Sequence, residues 1–358
     1  METLNSIHYK SKIDVEEALH TSKVTLEDFK ALISPAAKNY LEPLAQKSSA
    51  LTQKRFGKTI QMYIPMYLSN ECQNICTYCG FSMNNIVPRV TLSNKQIEAE
   101  VKAIKAKGYD HLLILTGEAN KKVGYEYLLN AIKIIKPHFA QLSIEVQPLT
   151  EEEYKGLFAE GLHSVLVYQE TYRKETYKEY HPKGRKSNFE WRLDTPERLG
   201  RAGAYKIGLG ALLGLEDWRT DSFMTALHLD YLQRNFWRTK YAISFPRLRP
   251  CEGNEHSTKY MDDKDLVQLI CAYRLFNEDV ELSLSTRESQ HFRNNIVPLG
   301  ITSISADSKT EPGGYASDEK ALKQFEIDDT RSTTEISDMI NQHGYEAIWK
   351  DWDAAYQL

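Results

Sequence analysis

Three of the chain's five cysteines lie in one short stretch, Glu71-Cys72-Gln73-Asn74-Ile75-Cys76-Thr77-Tyr78-Cys79-Gly80-Phe81, with the spacing C-x3-C-x2-C. Thiols this close cannot all pair as disulfides, because one is always left over. Soft thiolates are natural ligands of iron–sulfur clusters, and three of them leave one iron of a 4Fe–4S cubane open to an outside ligand. A zinc site would need a fourth cysteine or histidine at short range, and the next histidine is His111. The stretch therefore predicts a 4Fe–4S cluster held by Cys72, Cys76 and Cys79.

The composition is that of an ordinary globular protein. The chain has 358 residues, of which 41% are hydrophobic and 26% charged, and its net charge is -4. This length suits one large barrel or two smaller domains. The charge gives no basic face for nucleic acid, and no apolar run approaches the ~20 residues of a membrane helix. No secretory signal is expected at the N-terminus, and five cysteines with a tight trio predict a reducing compartment, the cytoplasm.

A regular alternation of strands and helices surrounds the cysteine stretch. Strands are predicted at 61–67, 111–115, 142–146, 163–168, 205–209, 241–245, 280–284 and 301–304. Amphipathic helical patterns lie between them, at 94–106, 125–135, 151–159, 195–202, 222–235, 262–276 and 287–294. Eight strands with intervening helices predict an α/β fold, a (β/α)8 TIM-type barrel, with a doubly wound open sheet as the alternative.

The same patterns divide the chain into three parts. Residues 1–58 are expected to form an N-terminal helical cap, residues 59–314 the barrel, and residues 315–358 a partly helical C-terminal tail packed on the barrel. Trp349 and Trp352 are the aromatic side chains available to dock that tail.

Polar groups recur where each predicted strand ends, which is where barrels of this type carry their functional groups. They are the cysteine stretch, Thr116-Gly117-Glu118, Glu145, Gln169-Glu170-Thr171-Tyr172-Arg173, the glycine-rich segment 208–214, the segment 246–250, Ser285-Thr286-Arg287-Glu288 and the segment 305–308. One such group would mean little. Their repetition at one end of every predicted strand indicates a site at the barrel mouth.

The cysteine spacing resembles the signature of the radical S-adenosylmethionine (SAM) family, C-x3-C-x-aromatic-C, with Tyr78 in the aromatic place. The resemblance implies that SAM binds the open iron and that reduction of the cluster cleaves SAM to methionine and a 5′-deoxyadenosyl radical. Thr116-Gly117-Glu118 is similar to the family's Gly-Gly-Glu motif, which accepts hydrogen bonds from the SAM ammonium group. An ordinary strand-to-helix turn is the alternative for that tripeptide.

Further matches to the family surround the predicted cofactor. The resemblance implies that Glu170 accepts hydrogen bonds from the SAM ribose and that Arg192 holds the SAM carboxylate, whereas the alternative is a solvated ion pair on a helix face. The segment 208–214 reads G-x-G-x3-G, which departs from a dinucleotide fingerprint. It is similar to the family segment that lies along the SAM adenine, and close packing of a glycine-rich turn is the alternative.

Arg287 is the candidate for binding a substrate carboxylate, with Ser285 adding a hydroxyl and Glu145 receiving an ammonium group. The alternative is a helix N-cap, with Thr286 as the capping residue and Glu288 in the first turn. Cys251 and Cys271 have no partners at short spacing, and the histidines are scattered singly. They are not expected to bind metal; His181 and His256 alone lie near predicted mouth loops.

Within the radical SAM family, the chain resembles the tyrosine lyases of thiamine thiazole biosynthesis. The matching segments are 31–37, 67–70, 79–81, 169–172, 180–182 and 283–288. The resemblance implies hydrogen abstraction from L-tyrosine, cleavage of its Cα–Cβ bond, and release of 2-iminoacetate and p-cresol. No cysteine follows Cys271, whereas the related hydrogenase-maturation lyases carry three more for a second cluster.

The resemblance also implies partners. They are a thiazole synthase subunit that takes over the labile imine, and a flavodoxin or ferredoxin that donates the electron. Alternatives at this point are a radical SAM enzyme acting on tryptophan or in deazaflavin or menaquinone synthesis, a non-enzymatic iron–sulfur carrier or sensor, and a zinc-stabilised barrel with unrelated catalysis.

Overall fold

The computed structural model describes residues 2–253, 260–317 and 321–350. Its strands are β1 (Thr59–Ser69), β2 (His111–Thr116), β3 (Gln141–Glu145), β4 (Ser164–Leu166), β5 (Lys206–Leu209), β6 (Lys240–Ser244), β7 (Glu281–Leu284), β8 (Ser303–Ser305) and β9 (Glu346–Ile348). Strands β1 to β8 pair in parallel in sequence order, and β1 pairs with both β8 and β2. The ring is therefore closed, so the predicted barrel is confirmed and the open sheet is wrong.

The helices surround this ring. They are α1 (Glu2–His8), α2 (Lys12–His20), α3 (Leu26–Leu32), α4 (Leu41–Phe56), α5 (Asn94–Lys105), α6 (Tyr125–Ile135), α7 (Glu151–Ala159), α8 (Lys174–Tyr180), α9 (Phe189–Leu193), α10 (Thr195–Arg201), α11 (Trp218–Asn235), α12 (Asp263–Phe276), α13 (Gln290–Ile296) and α14 (Thr333–Gln342). Short 3-10 helices lie at Pro35–Tyr40, Lys136–His138 and Arg185–Ser187. In the described ranges, no helix is both long enough and apolar enough to cross a membrane.

Strand β1 shows why the barrel has two distinct surfaces. Side chains alternate along a strand, so neighbouring residues face opposite sides of the sheet. Ile60, Met62 and Ile64 are fully buried in the apolar layer that includes residues of the helices. Tyr63 and Tyr67, at the alternate positions, line the space inside the barrel. The interior is thus available for polar side chains, while the outer layer supplies the main hydrophobic core.

The N-terminal helices pack along one flank of the barrel. Phe29 of α3 contacts the rings of Tyr273 and Phe276 on α12, with centroids 5.0 and 5.1 Å away. The side chain of Gln268, also on α12, donates hydrogen bonds to backbone oxygens of Leu32 and Ser34. These contacts bury the apolar face of the first helices against α12.

The chain after β8 crosses the barrel mouth before it forms α14. We call residues 306–317 and 321–331 the mouth segment. Its Gln324 carbonyl accepts a hydrogen bond from Gly80 N at 3.0 Å, and Glu326 N donates to Pro250 O at 3.1 Å. The chain then returns to the opposite end, where β9 pairs with the first residues of β1. This ninth strand was not predicted. Trp349 docks edge-on against Tyr109, whereas Trp352 lies outside the described residues.

Candidate active site

Two connected chambers occupy the mouth and the upper interior of the barrel. The outer chamber is lined chiefly by the cysteine stretch and by the loops that follow the strands, with Thr116, Gly117, Glu118, Lys186, Arg192 and Leu212. The inner chamber is lined by strand residues that point into the barrel, with Tyr63, Leu113, Ser283 and Ser305. Seven residues line both: Leu115, Glu145, Tyr168, Pro246, Arg287, Gln324 and Phe325. We call these seven residues the shared wall. A ligand in the outer chamber would therefore lie next to a ligand in the inner chamber at the shared wall.

All three predicted cluster ligands line the outer chamber, and none forms a disulfide. Cys76 is buried, while Cys72 and Cys79 are partly exposed. Burial raises the pKa of the Cys72 thiol to about 11 and that of Cys76 well above its ordinary value. Thiolates here are therefore costly unless a cationic centre lies beside them, and an iron–sulfur cluster is such a centre.

The backbone holds the cysteine stretch firmly in place. Ile75 N donates to Lys183 O at 2.9 Å, and Gln73 N donates to Glu118 O at 2.9 Å.

No group of three His, Cys, Asp or Glu side chains in the described ranges is placed to hold one metal ion. A cubane binds each thiolate through a different iron, so its ligands need not converge on one point. The donor set and the chamber thus fit a cluster.

Tyr78, in the aromatic place of the signature, is hydrogen-bonded to a buried histidine. Its hydroxyl lies 2.6 Å from Nε2 of His181, whose Nδ1 lies 2.7 Å from Tyr177 O. The carbonyl can only accept, so Nδ1 carries the proton and Nε2 accepts from Tyr78. Burial lowers the pKa of His181 to about 3, which keeps the imidazole neutral. His181 therefore orients Tyr78 beside the chamber, and it is not a free metal ligand.

Glu118, Glu170 and Arg192 form one buried cluster. The guanidinium of Arg192 lies 2.9 Å from Glu118 Oε1 and 3.3 Å from Glu170 Oε1. All three residues are less than 10% exposed, so the alternative of a solvated ion pair is wrong. Burial alone would raise the pKa of Glu170, but Lys186 and Arg192 hold it below its ordinary value. Glu170 also has a positive φ of 70°, a backbone conformation that L-residues rarely adopt.

Two members of this polar cluster were missed by the sequence analysis. Lys186 Nζ lies 2.7 Å from Glu170 Oε1, and the Asn74 amide donates to Glu118 Oε2 at 2.8 Å. Lys186 belongs to the run Lys183-Gly184-Arg185-Lys186, which reads as exposed charge. Asn74 lies inside the cysteine stretch. Only its burial marks it as a member of the polar cluster, and burial is not visible in the sequence.

The tripeptide Thr116-Gly117-Glu118 lies where β2 meets the cysteine stretch. A Cβ on Gly117 would lie 2.2 Å from the carbonyl oxygen of Glu71, so only glycine permits this approach. Thr116 Oγ1 is buried and has no hydrogen-bond partner among the described residues. An unpaired hydroxyl that lines the chamber fits a polar ligand such as SAM.

Glycines within and directly after β5 serve close packing. A Cβ on Gly208 would lie 2.6 Å from Leu166 Cγ, and one on Gly210 would lie 2.8 Å from Ser244 O. These contacts support the packing alternative for the segment 208–214. Leu212 from the same segment still lines the outer chamber, so packing and ligand contact are compatible.

The inner chamber is lined by the three predicted substrate-binding residues, Arg287, Ser285 and Glu145. Arg287 and Glu145 also belong to the shared wall. The Arg287 guanidinium carbon lies 3.4 Å from the ring centroid of Phe325, and in the described part of the chain no carboxylate pairs with it. Burial lowers the pKa of Arg287 and, together with the nearby Glu170, raises that of Glu145 to about 7. The site therefore offers an unpaired guanidinium and a carboxyl group to a bound molecule.

The N-cap alternative for this loop is wrong. Helix α13 begins at Gln290, and its N-cap is Ser289, whose side chain accepts from Phe292 N. Glu288 is buried and forms an ion pair with Arg247, so it does not sit in a first helical turn. The loop is thus free to present Ser285 and Arg287 to the chamber.

The remaining cysteines differ in position. Cys271 is fully buried in α12 and belongs to the hydrophobic core. Cys251 lies at the mouth, where its Sγ is 3.0 Å from the carbonyl oxygen of Tyr78. His256 lies outside the described residues.

The mouth segment contributes two chamber residues that sequence analysis placed in a tail. Gln324 Oε1 accepts from the Tyr67 hydroxyl at 2.7 Å, and Phe325 lies against Arg287. No spacing or motif marks these residues, because their position depends on how the chain returns across the mouth.

A closed parallel barrel with a three-cysteine chamber at its mouth defines the radical SAM class. The sequence model of the radical SAM superfamily matches residues 66–227, and that of the biotin and thiamin synthesis associated domain matches residues 244–346. The resemblance to this class is confirmed, and its members use a 4Fe–4S cluster and SAM.

Curated relatives identify the family within this class. The 2-iminoacetate synthase of Salmonella typhimurium is 50% identical over 97% of this chain and 93% of its own length. That of Escherichia coli K12 is 51% identical over the same shares. The chain belongs to the 2-iminoacetate synthase family.

Two solved structures share the fold of this chain. The FeFe-hydrogenase maturase HydG from Carboxydothermus hydrogenoformans superposes with a TM-score of 0.91 at 29% identity, over 99% of this chain and 84% of that chain. Methylornithine synthase, with a TM-score of 0.74 at 17% identity, over 94% of this chain and 97% of that chain, shares the fold.

Proposed function

We propose that this protein is a 2-iminoacetate synthase, a carbon–carbon lyase. It breaks the Cα–Cβ bond of L-tyrosine to give 2-iminoacetate and p-cresol, while SAM is reduced to 5′-deoxyadenosine and methionine. The observation that carries the proposal is identity of 50–51% to two curated 2-iminoacetate synthases over 97% of the chain. The carrier, sensor and zinc-barrel alternatives have no comparable support.

Cys72, Cys76 and Cys79 would hold the cluster, and the outer chamber would hold SAM. When bound, the two cofactors supply the one-electron chemistry that removes a hydrogen atom from the substrate. Thr116, Gly117 and Glu118 would then receive the SAM ammonium group. Glu170 would accept hydrogen bonds from the SAM ribose, Arg192 would hold the SAM carboxylate, and Tyr78 would line the outer chamber. Their burial excludes water, which protects reactive intermediates.

The substrate would lie in the inner chamber with its amino-acid head at the shared wall. Arg287 lacks a carboxylate partner in the described ranges, and Ser285 lies two residues before it, so both suit the substrate carboxylate. Glu145 is placed to receive the substrate ammonium group. That cation would lower the raised pKa of Glu145, so the carboxyl group would ionise as tyrosine binds. Such positioning selects which bond breaks.

We also propose the partners and the compartment. A thiazole synthase subunit would accept the imine, which is labile in water, and a flavodoxin or ferredoxin would donate the electron. The reducing cytoplasm suits free thiols. The division into residues 1–58, 59–314 and 315–358 is kept as a proposal, although Gln324 and Phe325 of the last part line the chambers.

Anaerobic turnover tests the function. The reconstituted protein is given SAM, tyrosine and dithionite, and 5′-deoxyadenosine and p-cresol are quantified by mass spectrometry. Both products are expected, and both should vanish in Cys76→Ala. Deoxyadenosine without p-cresol would refute tyrosine as substrate while leaving the radical SAM class intact. Tryptophan, assayed in parallel, is expected to give no cleavage product.

A further inference from the structure

The inner chamber ends in a floor of hydroxyl groups. Ser283 on β7 donates to the Tyr63 hydroxyl on β1 at 3.3 Å. Ser305 on β8 is the register partner of Tyr63, and its side chain lines the same chamber. Tyr63 retains partial exposure deep inside the barrel, where it lines both the inner chamber and a smaller cavity beneath it.

The two ends of the inner chamber differ in chemistry. Arg287 and Glu145 lie on the wall shared with the outer chamber, whereas Tyr63 and Ser283 line the inner chamber and not the outer one. Leu113, which also lines only the inner of the two chambers, adds apolar surface. The inner chamber therefore has charged groups at the shared wall. Away from that wall it has the hydroxyl groups of Tyr63 and Ser283 and the apolar surface of Leu113.

This order determines how an amino acid can lie in the chamber. The reacting head must be at the shared wall, because only there can it meet a molecule in the outer chamber. Its side chain must then extend away from that wall, toward Tyr63 and Ser283. Burial raises the pKa of Tyr63, so its hydroxyl keeps its proton and can both donate and accept.

We propose that Tyr63 and Ser283 form a binding site for the substrate's phenol hydroxyl and set the preference for tyrosine. The inference rests on the proposed tyrosine cleavage and deepens it. The phenol hydroxyl both donates and accepts a hydrogen bond, which matches two hydroxyl partners, whereas the indole of tryptophan only donates. Phenylalanine would leave the two hydroxyl groups without their ligand contact. A site built to bind a hydroxyl rejects the analogue that lacks it by about 10⁴–10⁵-fold in favourable cases.

Equilibrium binding tests the proposal without turnover. Dissociation constants of tyrosine and phenylalanine are measured by anaerobic calorimetry on the reconstituted, SAM-loaded protein without reductant. The wild type is expected to bind tyrosine at least ~100-fold more tightly than phenylalanine. In Tyr63→Phe and in Ser283→Ala this ratio is expected to fall by about 10-fold or more, through weaker tyrosine binding.

Tyr241→Phe is the matched control. Tyr241 lies on β6, and its hydroxyl donates to Leu232 O at 3.0 Å, away from both chambers. In the Tyr241→Phe variant, the preference for tyrosine over phenylalanine, measured as the ratio of the two dissociation constants, is expected to equal that of the wild type. SAM affinity and cluster absorbance, measured in every variant, report whether the barrel is intact.

Two outcomes would overturn the phenol site. One is a wild-type ratio near unity, which needs no variant and so does not depend on whether the variants fold. The other is an unchanged ratio in both Tyr63→Phe and Ser283→Ala with normal SAM affinity. If p-cresol still forms in the turnover assay, the tyrosine cleavage survives and only the phenol site fails. If the wild type makes no p-cresol, the proposed function itself fails.

Discussion

The side-chain amide of Gln324 donates to Sγ of Cys79 at 3.8 Å, across 245 positions of sequence. The amide is held in this place because its oxygen accepts from the Tyr67 hydroxyl. The mouth segment therefore reaches a proposed cluster ligand directly. Donors to cluster sulfurs influence reduction potential, so this contact gives the far end of the chain an effect on the cluster.

We predict that Gln324→Ala lowers the reduction potential of the cluster. The amide stabilises the more negative, reduced state, and a hydrogen bond of about 1 kcal/mol corresponds to about 40 mV for one electron. An anaerobic redox titration followed by electron paramagnetic resonance measures the shift. Gln324→Glu, which removes the donor while keeping the shape, should lower the potential at least as much. An unchanged potential in both variants would show that the contact is absent in the loaded protein.

Lys186→Met is predicted to weaken SAM binding. Lys186 pairs with Glu170, and its loss leaves Arg192 alone to balance Glu118 and Glu170. Removing one partner of a buried ion pair costs about 3–5 kcal/mol, part of which should appear as SAM affinity reduced ~10–100-fold. Calorimetric titration with SAM measures the effect. Lys183→Met, at an exposed position in the same run, serves as control, and equal affinity in the two variants would contradict the prediction.

Arg287→Gln is predicted to impair tyrosine binding while SAM binding is retained. The guanidinium lies at the shared wall and, among the described residues, pairs with no carboxylate. Losing a charged hydrogen-bond partner costs about 2–3 kcal/mol, or ~30–150-fold in affinity for tyrosine. Arg287→Lys should recover only part of the loss, because an ammonium group cannot bind a carboxylate in the same fork geometry. The dissociation constants of tyrosine and SAM are measured separately. A loss confined to SAM would assign Arg287 to the cofactor instead.

Asp221 is predicted to make stability fall as the pH rises. Burial raises the pKa of Asp221 to about 7, although Tyr172 N and Thr171 Oγ1 donate to it. Between its unfolded value of about 4 and its folded value of about 7, the folded state binds more protons than the unfolded state. Stability therefore declines across that window as pH increases.

Asp221→Asn removes this titration while keeping an oxygen that can accept both hydrogen bonds. Thermal unfolding is measured anaerobically at pH 5, 6 and 7 for the variant and the wild type. The variant is expected to gain stability relative to the wild type as the pH rises from 5 to 7. The same difference at every pH would mean that Asp221 does not titrate in this range.

Much of the fold followed from local pattern. Each of the eight predicted barrel strands overlaps an observed strand, because alternating side chains and intervening amphipathic segments are local properties. The ninth strand, Glu346–Ile348, was missed because three residues carry too little pattern. The alternative of an N-cap at Thr286 was wrong, and the cap of α13 is Ser289, since both are hydroxyl residues before a helical pattern and only packing distinguishes them.

The sequence by itself determined the cysteine spacing, the barrel class and the family, because each depends on the order of residues along the chain. Only the tertiary structure decided which charges meet. Lys186 reads as an exposed charge but is enclosed beside Glu170, and Gln324 reads as part of a polar tail but contacts Cys79. The physical reason is that burial and long-range contact depend on how the loops converge over the barrel mouth, which no local pattern encodes.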